Sequence, residues 1–403
     1  MFRGLLLRGL GLVGVAQAIV ASVLMVAAWL RRRKQNQGFP HSLPAPVAVA
    51  DNTLQVYSYG KDLYDAMIEA IDAAQESIYL ETFIWKGDEV GQRFKDHLTQ
   101  KARDGVAVYV IFDTFGNLVV PAPFKIFERP VHMLAFSAIR RPWHVLDPRR
   151  YALDHRKLLI VDGYTAFLGG YNLGQLYATE WRDTHLRLQG SVASKFAQDF
   201  VSFWNASSPP EECITHHYER RFEPLIGLWN NNAMKLSFPI RDMYITAIDQ
   251  AEHCIRLTNA YFIPDNSLLN SLIAAATRGV QVQILLPWIS NHTLADWMAR
   301  GYFTRCLKAG IHIFTYNSMI HAKTCTIDSA WTTIGTANLD RLSSLGNFET
   351  NCDVYSGELA RQMEDLFERD KAYAHEIILE KWAARPLHTK FSERLLAPLR
   401  VLL

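Results

Sequence analysis

The sequence has few cysteines, little excess charge and none of the common metal-binding or nucleotide-binding motifs. Its 403 residues include five cysteines at irregular spacing, which excludes a disulfide framework and suits a reducing compartment. No CxxC, HExxH or GxxxxGK[ST] pattern occurs, so neither a zinc site nor a P-loop is expected. The formal net charge is +2, whereas a dedicated nucleic-acid-binding protein usually carries a strong basic surface. We therefore expect no metal, no cofactor and no nucleic-acid partner.

Charged side chains are also absent from residues 9–30, where Gln17 and Ser22 are the polar interruptions. A helix of this length can cross a bilayer core about 30 Å thick. Four basic residues follow at 31–34, against two before the run, and this bias keeps the C-terminal side in the cytoplasm. A cleaved signal peptide is the alternative, which the long run and the basic cluster disfavour. The prediction is a single-pass anchor over residues 1–34 in the cell (inner) membrane, with the catalytic body on the cytoplasmic side.

The rest of the chain contains the same spaced set of polar residues twice. The first set is His155, Lys157, Asp162, Asn172 and Asp183, and the second is His321, Lys323, Asp328, Asn338 and Glu349. Counted from a His at position i, the Lys is at i+2, the Asp at i+7, the Asn at i+17 and the final carboxylate at i+28 in both sets. Four matching intervals in otherwise different segments indicate an internal duplication.

Each His and its Lys precede or begin a short apolar segment that is typical of a β-strand. Residues two apart on a strand point to the same face, so His155 lies beside Lys157 and His321 beside Lys323. Two such pairs facing each other provide a nucleophile and a general acid on opposite sides of a phosphorus atom. A metal site is the competing interpretation, but a lysine on the same face as each histidine would repel a cation.

The repeated HxK, Asp and small-small-x-Asn spacing resembles the HKD motif of the phospholipase D superfamily. Residues 79–85, 181–185 and 261–264 resemble the cardiolipin synthase branch, and the similarity extends from about residue 52 to the C-terminus. Helical and strand patterns alternate along the body of the chain, which predicts an α/β fold, and the resemblance implies two phospholipase D-like sandwich halves related by pseudo-twofold symmetry. The apolar run at residues 9–30 predicts one transmembrane helix before them. We predict a linker at residues 35–50, a first half at 51–212 and a second half at 213–403.

The resemblance also implies roles for both sets of residues. His155 would attack phosphorus and form a phosphohistidine, while His321 would protonate the leaving alcohol. Asp183 and Glu349 would orient the histidines, but the sequence does not indicate which histidine each one contacts. The lysines and asparagines would bind the non-bridging phosphate oxygens: Lys157, Lys323, Asn172 and Asn338. The motif aspartates, Asp162 and Asp328, are expected to hold backbone and lysine instead.

Residues 119–150 interrupt the repeat and mix basic with aromatic side chains. They are either an ordinary solvated insertion or a lid at the membrane surface, where arginine pairs with lipid phosphate.

The function predicted from these features is a membrane-associated phosphatidyltransferase of cardiolipin synthase type. Its expected partners are the bilayer and phospholipid substrates, with phosphatidylglycerol as the simplest acceptor. The alternatives are a hydrolytic phospholipase D or an anchored phosphodiesterase or nuclease that uses the same histidines. A non-catalytic lipid-binding descendant is a further alternative, which the intact residues of both sets disfavour.

Overall fold

The computed structural model describes residues 17–18, 20–26, 38–137, 139, 143, 146–219 and 223–402. Most of the predicted membrane segment at residues 9–30 lies outside these ranges, and its described part, residues 17–18 and 20–26, is helical. Within the described ranges, no helix combines the length and the apolar character that a bilayer crossing requires.

The first half is built on an eight-stranded sheet with the order β1-β2-β8-β7-β6-β3-β4-β5. Its strands are β1 (Val47–Val49), β2 (Asn52–Tyr57), β3 (Ser77–Thr82), β4 (Ala107–Asp113), β5 (His132–Phe136), β6 (Leu158–Val161), β7 (Thr165–Gly169) and β8 (His185–Gln189). Its helices are α1 (Gly60–Ala73), α2 (Glu89–Arg103), α3 (Gln175–Thr179) and α4 (Ala193–Ser207). Helix α1 forms because Leu63, Met67 and Ile71 recur at every fourth position and bury one face.

The second half is built on another eight-stranded sheet, with the order β16-β12-β11-β10-β13-β14-β15-β9. Its strands are β9 (Ile226–Asn231), β10 (Cys254–Thr258), β11 (Gln281–Pro287), β12 (His312–Tyr316), β13 (Thr324–Ile327), β14 (Trp331–Gly335), β15 (Glu349–Tyr355) and β16 (Ala374–Glu376). Its helices are α5 (Pro239–Gln250), α6 (Asn266–Thr277), α7 (Thr293–Lys308), α8 (Arg341–Leu345), α9 (Gly357–Lys371), α10 (Leu379–Ala383) and α11 (Leu387–Leu396).

The two sheets repeat the same topology. Strands β2 to β8 occupy the same relative places as β9 to β15, and every corresponding pair has the same parallel or antiparallel sense. Gly169 pairs with His185 in the first sheet, and Gly335 pairs with Asn351 in the second. These two pairs are related by the same shift in numbering as His155 and His321. The duplication indicated by the motif spacing is therefore a duplication of a whole α/β unit.

The halves pack into one body through a shared apolar core. Strands β7 and β14, which correspond in the duplication, contact each other across the interface. One continuous cluster contains Leu168 and Phe200 from the first half together with Ile334 and Leu359 from the second. Because this surface is buried from both sides, the halves are held in a fixed relation to each other.

Two segments differ from the prediction in their details. Residues 47–49, which the sequence places in the linker, form β1 and pair with β2. Residues 132–136, within the predicted insertion, form β5, the counterpart of β12. The extra length of the first half therefore lies after β5, in residues 137–157. Strand β5 is hard to predict from the sequence because charged and aromatic neighbours obscure its short apolar pattern.

Candidate active site

The chain segments that lead into the two motif strands cross the interface between the halves. His155 N donates to the Phe348 carbonyl at 3.0 Å, and His321 N donates to the Arg182 carbonyl at 2.7 Å. The shift in numbering that converts His155 to His321 also converts Arg182 to Phe348, so the contacts obey the pseudo-twofold relation. Both histidines are thereby fixed at the interface, next to a carboxylate segment of the opposite half.

Each histidine is hydrogen-bonded to the carboxylate of the other half. His155 Nδ1 lies 3.0 Å from both Oε1 and Oε2 of Glu349. His321 Nδ1 lies 2.6 Å from Oδ2 of Asp183. A carboxylate at Nδ1 fixes the tautomer and leaves Nε2 for chemistry. The partner of each carboxylate, which the sequence left open, is thus the histidine of the opposite copy, and neither half forms a complete site alone.

The small residues of each motif make room for these carboxylates. A Cβ at Gly170 would lie 2.1 Å from Oδ1 of Asp183, so a larger side chain cannot fit. At the corresponding position Thr336 donates its hydroxyl to Oε2 of Glu349 at 2.5 Å. Glycine accommodates the shorter aspartate against the backbone, and threonine gives the longer glutamate a second partner.

The four ionisable groups at the interface are almost completely buried, and burial and mutual charge shift their pKa values. Burial lowers the pKa of His155 and lowers that of His321 to about 3, with nearby lysine charges adding to both shifts. Burial alone would raise the pKa values of Asp183 and Glu349, but the adjacent histidines and lysines outweigh it and lower both. The free site therefore holds two neutral imidazoles and two carboxylates at neutral pH.

Lys157 and Lys323 lie beside the histidines with their charge partly destabilised. Each Nζ donates to the carbonyl oxygen of the motif histidine on its own strand. Burial lowers the pKa of Lys157 to about 7 and that of Lys323 to about 8. A phosphodiester anion would restore the charge that burial disfavours. Within the described residues, no cluster of His, Cys, Asp and Glu has the arrangement of a metal site.

The motif asparagines lie in the loops that follow β7 and β14. Asn172 Oδ1 accepts from the Ile84 backbone N–H at 3.1 Å. Asn338 lines the cavity described below, and its Oδ1 is buried without a hydrogen-bond partner within the described residues. A buried amide oxygen without a partner is costly, and a polar substrate group at this position would relieve that cost.

Aromatic side chains that the motif spacing does not include surround both imidazoles. The Phe83 ring lies 4.9 Å from the His155 ring, while the rings of Trp181 and Tyr261 lie 5.3 and 6.3 Å from that of His321. These residues belong to the segments at 79–85, 181–185 and 261–264. The site residues were predicted from intervals that match in the two motif copies, and these aromatic residues do not recur at matching intervals, so they were not among them.

A cavity of about 1170 Å³ opens onto His155 and Asn338. Its walls are mainly apolar, and they include Phe83, Phe115, Leu176, Tyr177, Trp181, Tyr261, Met298 and Leu342. Met25 and Val26, at the end of the described N-terminal helix, line it as well. A large apolar cavity with a few converging polar groups is typical of a site for an amphipathic ligand.

Arg156, between the two residues of the first HxK pair, supports the site from behind. Its guanidinium lies 2.5 Å from Glu81 and 3.0 Å from Asp154, and it stacks 3.8 Å from the centre of the Phe203 ring. The second half has Ala322 at the corresponding position. A buried cation with two carboxylates fixes the segment that carries His155. In the sequence, the feature that distinguishes this position is a charged residue, Arg156, where the second motif has the small apolar Ala322.

Asp162 and Asp328 lie at the far ends of β6 and β13 from the histidines. Asp162 accepts from the backbone N–H groups of residues 75–77 at 2.8 to 2.9 Å. Asp328 accepts from those of residues 252–254 at 2.7 to 2.8 Å. Both have positive φ, 52° and 53°, which aspartate tolerates better than most residues. The structure thus places both motif aspartates away from the histidines, at the turns that begin β3 and β10, where they hold backbone N–H groups.

Replacing Asp328 with alanine is expected to lower the free energy of unfolding by about 2 kcal/mol, because three N–H groups lose a charged acceptor. Burial alone would raise the Asp328 pKa, but the three N–H donors outweigh it and lower it. The stabilisation is therefore present above the unfolded-state pKa of about 4 and disappears as pH falls through the lower folded-state value. Urea titrations at neutral and acid pH measure this difference. Asp65→Ala, which breaks an exposed pair with Arg93, is the control; an equal loss in both variants would contradict the role of Asp328.

The lysine pKa values predict the alkaline limb of the pH profile. The value of kcat/KM should fall as pH rises through about 7 to 8, because Lys157 and then Lys323 lose their charge in the free site. The corresponding fall in kcat should occur at higher pH, because the bound phosphodiester anion favours the charged form of both lysines. Initial rates across this range test both limbs. Lys157→Arg should remove the lower step because arginine stays protonated; an unchanged profile would show that Lys157 does not set it.

Comparison with known proteins places this geometry in a family. The profile of the family described as "Cardiolipin synthase, PLD-like domain" matches residues 67–204 and 244–371. The major cardiolipin synthase ClsA of Bacillus subtilis is 33% identical over 378 residues, covering 88% of this chain and 76% of that protein. Cardiolipin synthase 1 of Staphylococcus aureus (strain COL) is 33% identical over 363 residues, covering 86% and 72%.

A solved structure shares the fold across nearly the whole chain. The phosphatidylserine synthase of Haemophilus influenzae Rd KW20 has a TM-score of 0.65 at 13% identity, covering 93% of this chain and 97% of its own. At that identity the likeness concerns the fold alone. The family profile spans both halves and both motif strands, and the relatives align over most of their own length. The chain therefore belongs to the cardiolipin synthase family of phospholipase D-like proteins.

Proposed function

We propose that this protein is a phosphatidyltransferase that transfers a phosphatidyl group from one phospholipid to the headgroup hydroxyl of another, forming cardiolipin from phosphatidylglycerol. The observation that carries the proposal is the exchange of carboxylates between the halves, with His155 paired to Glu349 and His321 paired to Asp183 beside one apolar cavity. The relatives named cardiolipin synthase support the choice of lipid.

In the first step Nε2 of His155 attacks phosphorus and a P–N bond forms as the P–O bond to the headgroup breaks. His321 gives a proton to the departing alcohol oxygen, so the products are phosphatidyl-His155 and a free alcohol such as glycerol. In the second step His321 takes the proton from the hydroxyl of the acceptor lipid, whose oxygen attacks phosphorus and releases His155. One phosphodiester replaces another, and no nucleotide is consumed.

The protonation states of the free site fit the attacking half of this scheme. A lowered His155 pKa keeps its imidazole neutral and nucleophilic. The His321 pKa of about 3 is held down by burial and by lysine charge. A bound phosphodiester anion offsets that lysine charge and favours the imidazolium, with Asp183 stabilising it. Two histidines with different carboxylate geometries can then hold different protonation states at one pH.

Lys157, Lys323 and Asn338 would bind the non-bridging phosphate oxygens. Charge on those oxygens increases towards the transition state, where preorganised donors contribute most. Two buried ammonium groups in this position would repel a divalent cation, so we propose chemistry without a metal ion. The motif aspartates take a structural part in this scheme, since they hold the starts of β3 and β10.

We also propose that the protein acts at the cytoplasmic face of the cell membrane, anchored by residues 1–34. Met25 and Val26 line the cavity, so an anchor at this position would bring the site to the lipid surface. Exposed apolar side chains at Val119, Ile126 and Leu146 support the same orientation for the segment at residues 119–150. Alkaline carbonate extraction of membranes tests the anchor: the full chain should remain in the pellet, and its release would contradict a transmembrane segment.

The activity is tested by incubating the detergent-solubilised protein with labelled phosphatidylglycerol and EDTA, followed by separation of the lipid and aqueous products. The proposal expects cardiolipin and an equal amount of glycerol. Phosphatidic acid without cardiolipin would show a hydrolase, and a requirement for added metal would contradict the metal-free mechanism. The absence of any lipid product would direct attention to other phosphodiesters.

A further inference from the structure

The two halves of the active site are equivalent in backbone but differ in the chemistry of their side chains. Helices α3 and α8 are related by the same shift in numbering as the two motif histidines, so the segments from β7 to β8 and from β14 to β15 correspond position by position. In the first half this segment gives the cavity two aromatic residues, Tyr177 and Trp181. In the second half the corresponding residues are Ser343 and Asn347. At these two corresponding positions, the cavity is therefore lined by aromatic side chains from the first half and by polar side chains from the second.

The largest difference is at the residue before each of these helices, which is Gly174 in the first half and Asp340 in the second. Asp340 is 7% exposed and lines the cavity. Burial raises its pKa to about 7, which shows that the surroundings disfavour its charge. A carboxyl group is thus kept at a destabilising position where the duplicated half has no side chain.

Helix capping does not account for a carboxyl group in the cavity. Asp340 Oδ1 does accept from the Ser343 backbone N–H at 2.7 Å. In the first half, however, Asp88 supplies the carboxylate at the start of α3, accepting from the Gln175 N–H at 2.8 Å, which is the first N–H of that helix rather than the third. Among the described residues that line the cavity, Asp88 does not appear. The fold can therefore cap this helix from outside the cavity, and Asp340 has a further reason to face inwards.

We propose that Asp340 and Ser343 form a subsite for the hydroxyl groups of a polyol headgroup, and that they select a glycerol-like alcohol as leaving group and acceptor. The inference rests on the proposed phosphatidyl transfer and specifies its alcohol. The carboxyl group accepts from one hydroxyl and the serine hydroxyl pairs with another. The aromatic wall of Tyr177 and Trp181 faces the diacylglycerol part of the lipid.

The surroundings favour a neutral polyol over a cationic headgroup. The positive charge of Lys323 acts on Asp340 and partly compensates its carboxylate. Lys157 adds a second positive charge at the site, which repels an ammonium group. A site that binds hydroxyl groups through buried polar atoms discriminates strongly against an alcohol that lacks them, because those atoms are then left without partners.

The test is a competition between two three-carbon alcohols as acceptors. The full-length protein is given unlabelled phosphatidylglycerol with equal concentrations of labelled glycerol and labelled 1-propanol, and the two labelled phospholipids are quantified. The wild-type protein should strongly prefer glycerol. Asp340→Asn, which keeps the helix cap, should reduce the glycerol-to-propanol ratio about 10- to 100-fold. Asp340→Ser provides a second, smaller capping residue and should reduce the ratio as well.

Asp88→Asn is the matched control, since it alters the carboxylate that caps the equivalent helix outside the cavity, and its product ratio should equal that of the wild type. If Asp340→Asn lowers both products equally, Asp340 only caps the helix and the subsite is refuted. A parallel reaction offers labelled ethanolamine as the acceptor. If the use of ethanolamine depends on Asp340 and the use of glycerol does not, the polyol assignment is wrong. If the wild type makes no phospholipid from any alcohol, the proposed function itself fails.

Discussion

Replacing His155 with alanine is expected to reduce kcat/KM for phosphatidyl transfer by at least about 10⁴-fold, because the substitution removes the group that forms the covalent bond. His321→Ala should cause a loss of similar size, because it removes the imidazole that is hydrogen-bonded to Asp183 Oδ2 and carries the proton. Radiolabelled cardiolipin formation measures both losses. The double variant should be no worse than the more severely affected single variant, because residues that act as a unit do not contribute additively.

The control for this experiment is His312→Ala. His312 Nδ1 lies 2.7 Å from Glu376 Oε1, a histidine–carboxylate pair with the same atoms as those of the site but at the exposed edge of the second sheet. Its rate should stay within a few-fold of the wild type. Thermal unfolding should show that the His155 and His321 variants remain folded. Near wild-type turnover in either of them would refute the two-histidine mechanism.

Replacing Asp183 with asparagine is expected to lower kcat by about 10² to 10⁴-fold with little change in KM, by analogy with the loss seen when a catalytic histidine is held in the wrong tautomer. An amide can donate to Nδ1 and thereby place the proton on Nε2, where a neutral histidine cannot accept one. Asp183 is a positioning residue, because it acts through His321 at 2.6 Å. Glu349→Gln should have the same effect through His155.

The readout that separates positioning from simple structural support is the pH profile. Loss of the carboxylate lowers the pKa of His321 further. Because His321 must be protonated to donate to the leaving alcohol, the fall in kcat that its deprotonation causes should begin at lower pH in Asp183→Asn. Asp72→Asn, which alters an exposed partner of His97, is the matched control and should leave the profile unchanged. A variant of Asp183 that loses stability but keeps kcat and its pH profile would contradict the positioning role.

The motif spacing predicted the duplication and the candidate site residues, and hydrophobic periodicity predicted the alternation of helices and strands. All three depend on patterns that are visible within short stretches of sequence. It could not predict that Glu349 binds His155 and Asp183 binds His321, since this pairing depends on how two halves pack. The aromatic residues Phe83, Trp181 and Tyr261 were identified as part of familiar segments, but their contact with the imidazoles depends on the fold.

The boundaries were less well predicted than the elements. Residues 47–49 were assigned to a linker, but they form an edge strand because they complete the first sheet beside β2. The contrast between Gly174 and Asp340 is visible in the sequence once the two halves are aligned. Its meaning emerges only when both positions are seen at one cavity, with Asp88 providing the cap on the other side.

The most direct test of the account is the stereochemical course at phosphorus. A phospholipid made chiral at phosphorus with oxygen isotopes is converted with a simple alcohol as acceptor, and the configuration of the product is determined. Two in-line displacements, first by His155 and then by the alcohol, predict overall retention. Inversion would show a single direct displacement and would contradict the covalent histidine intermediate.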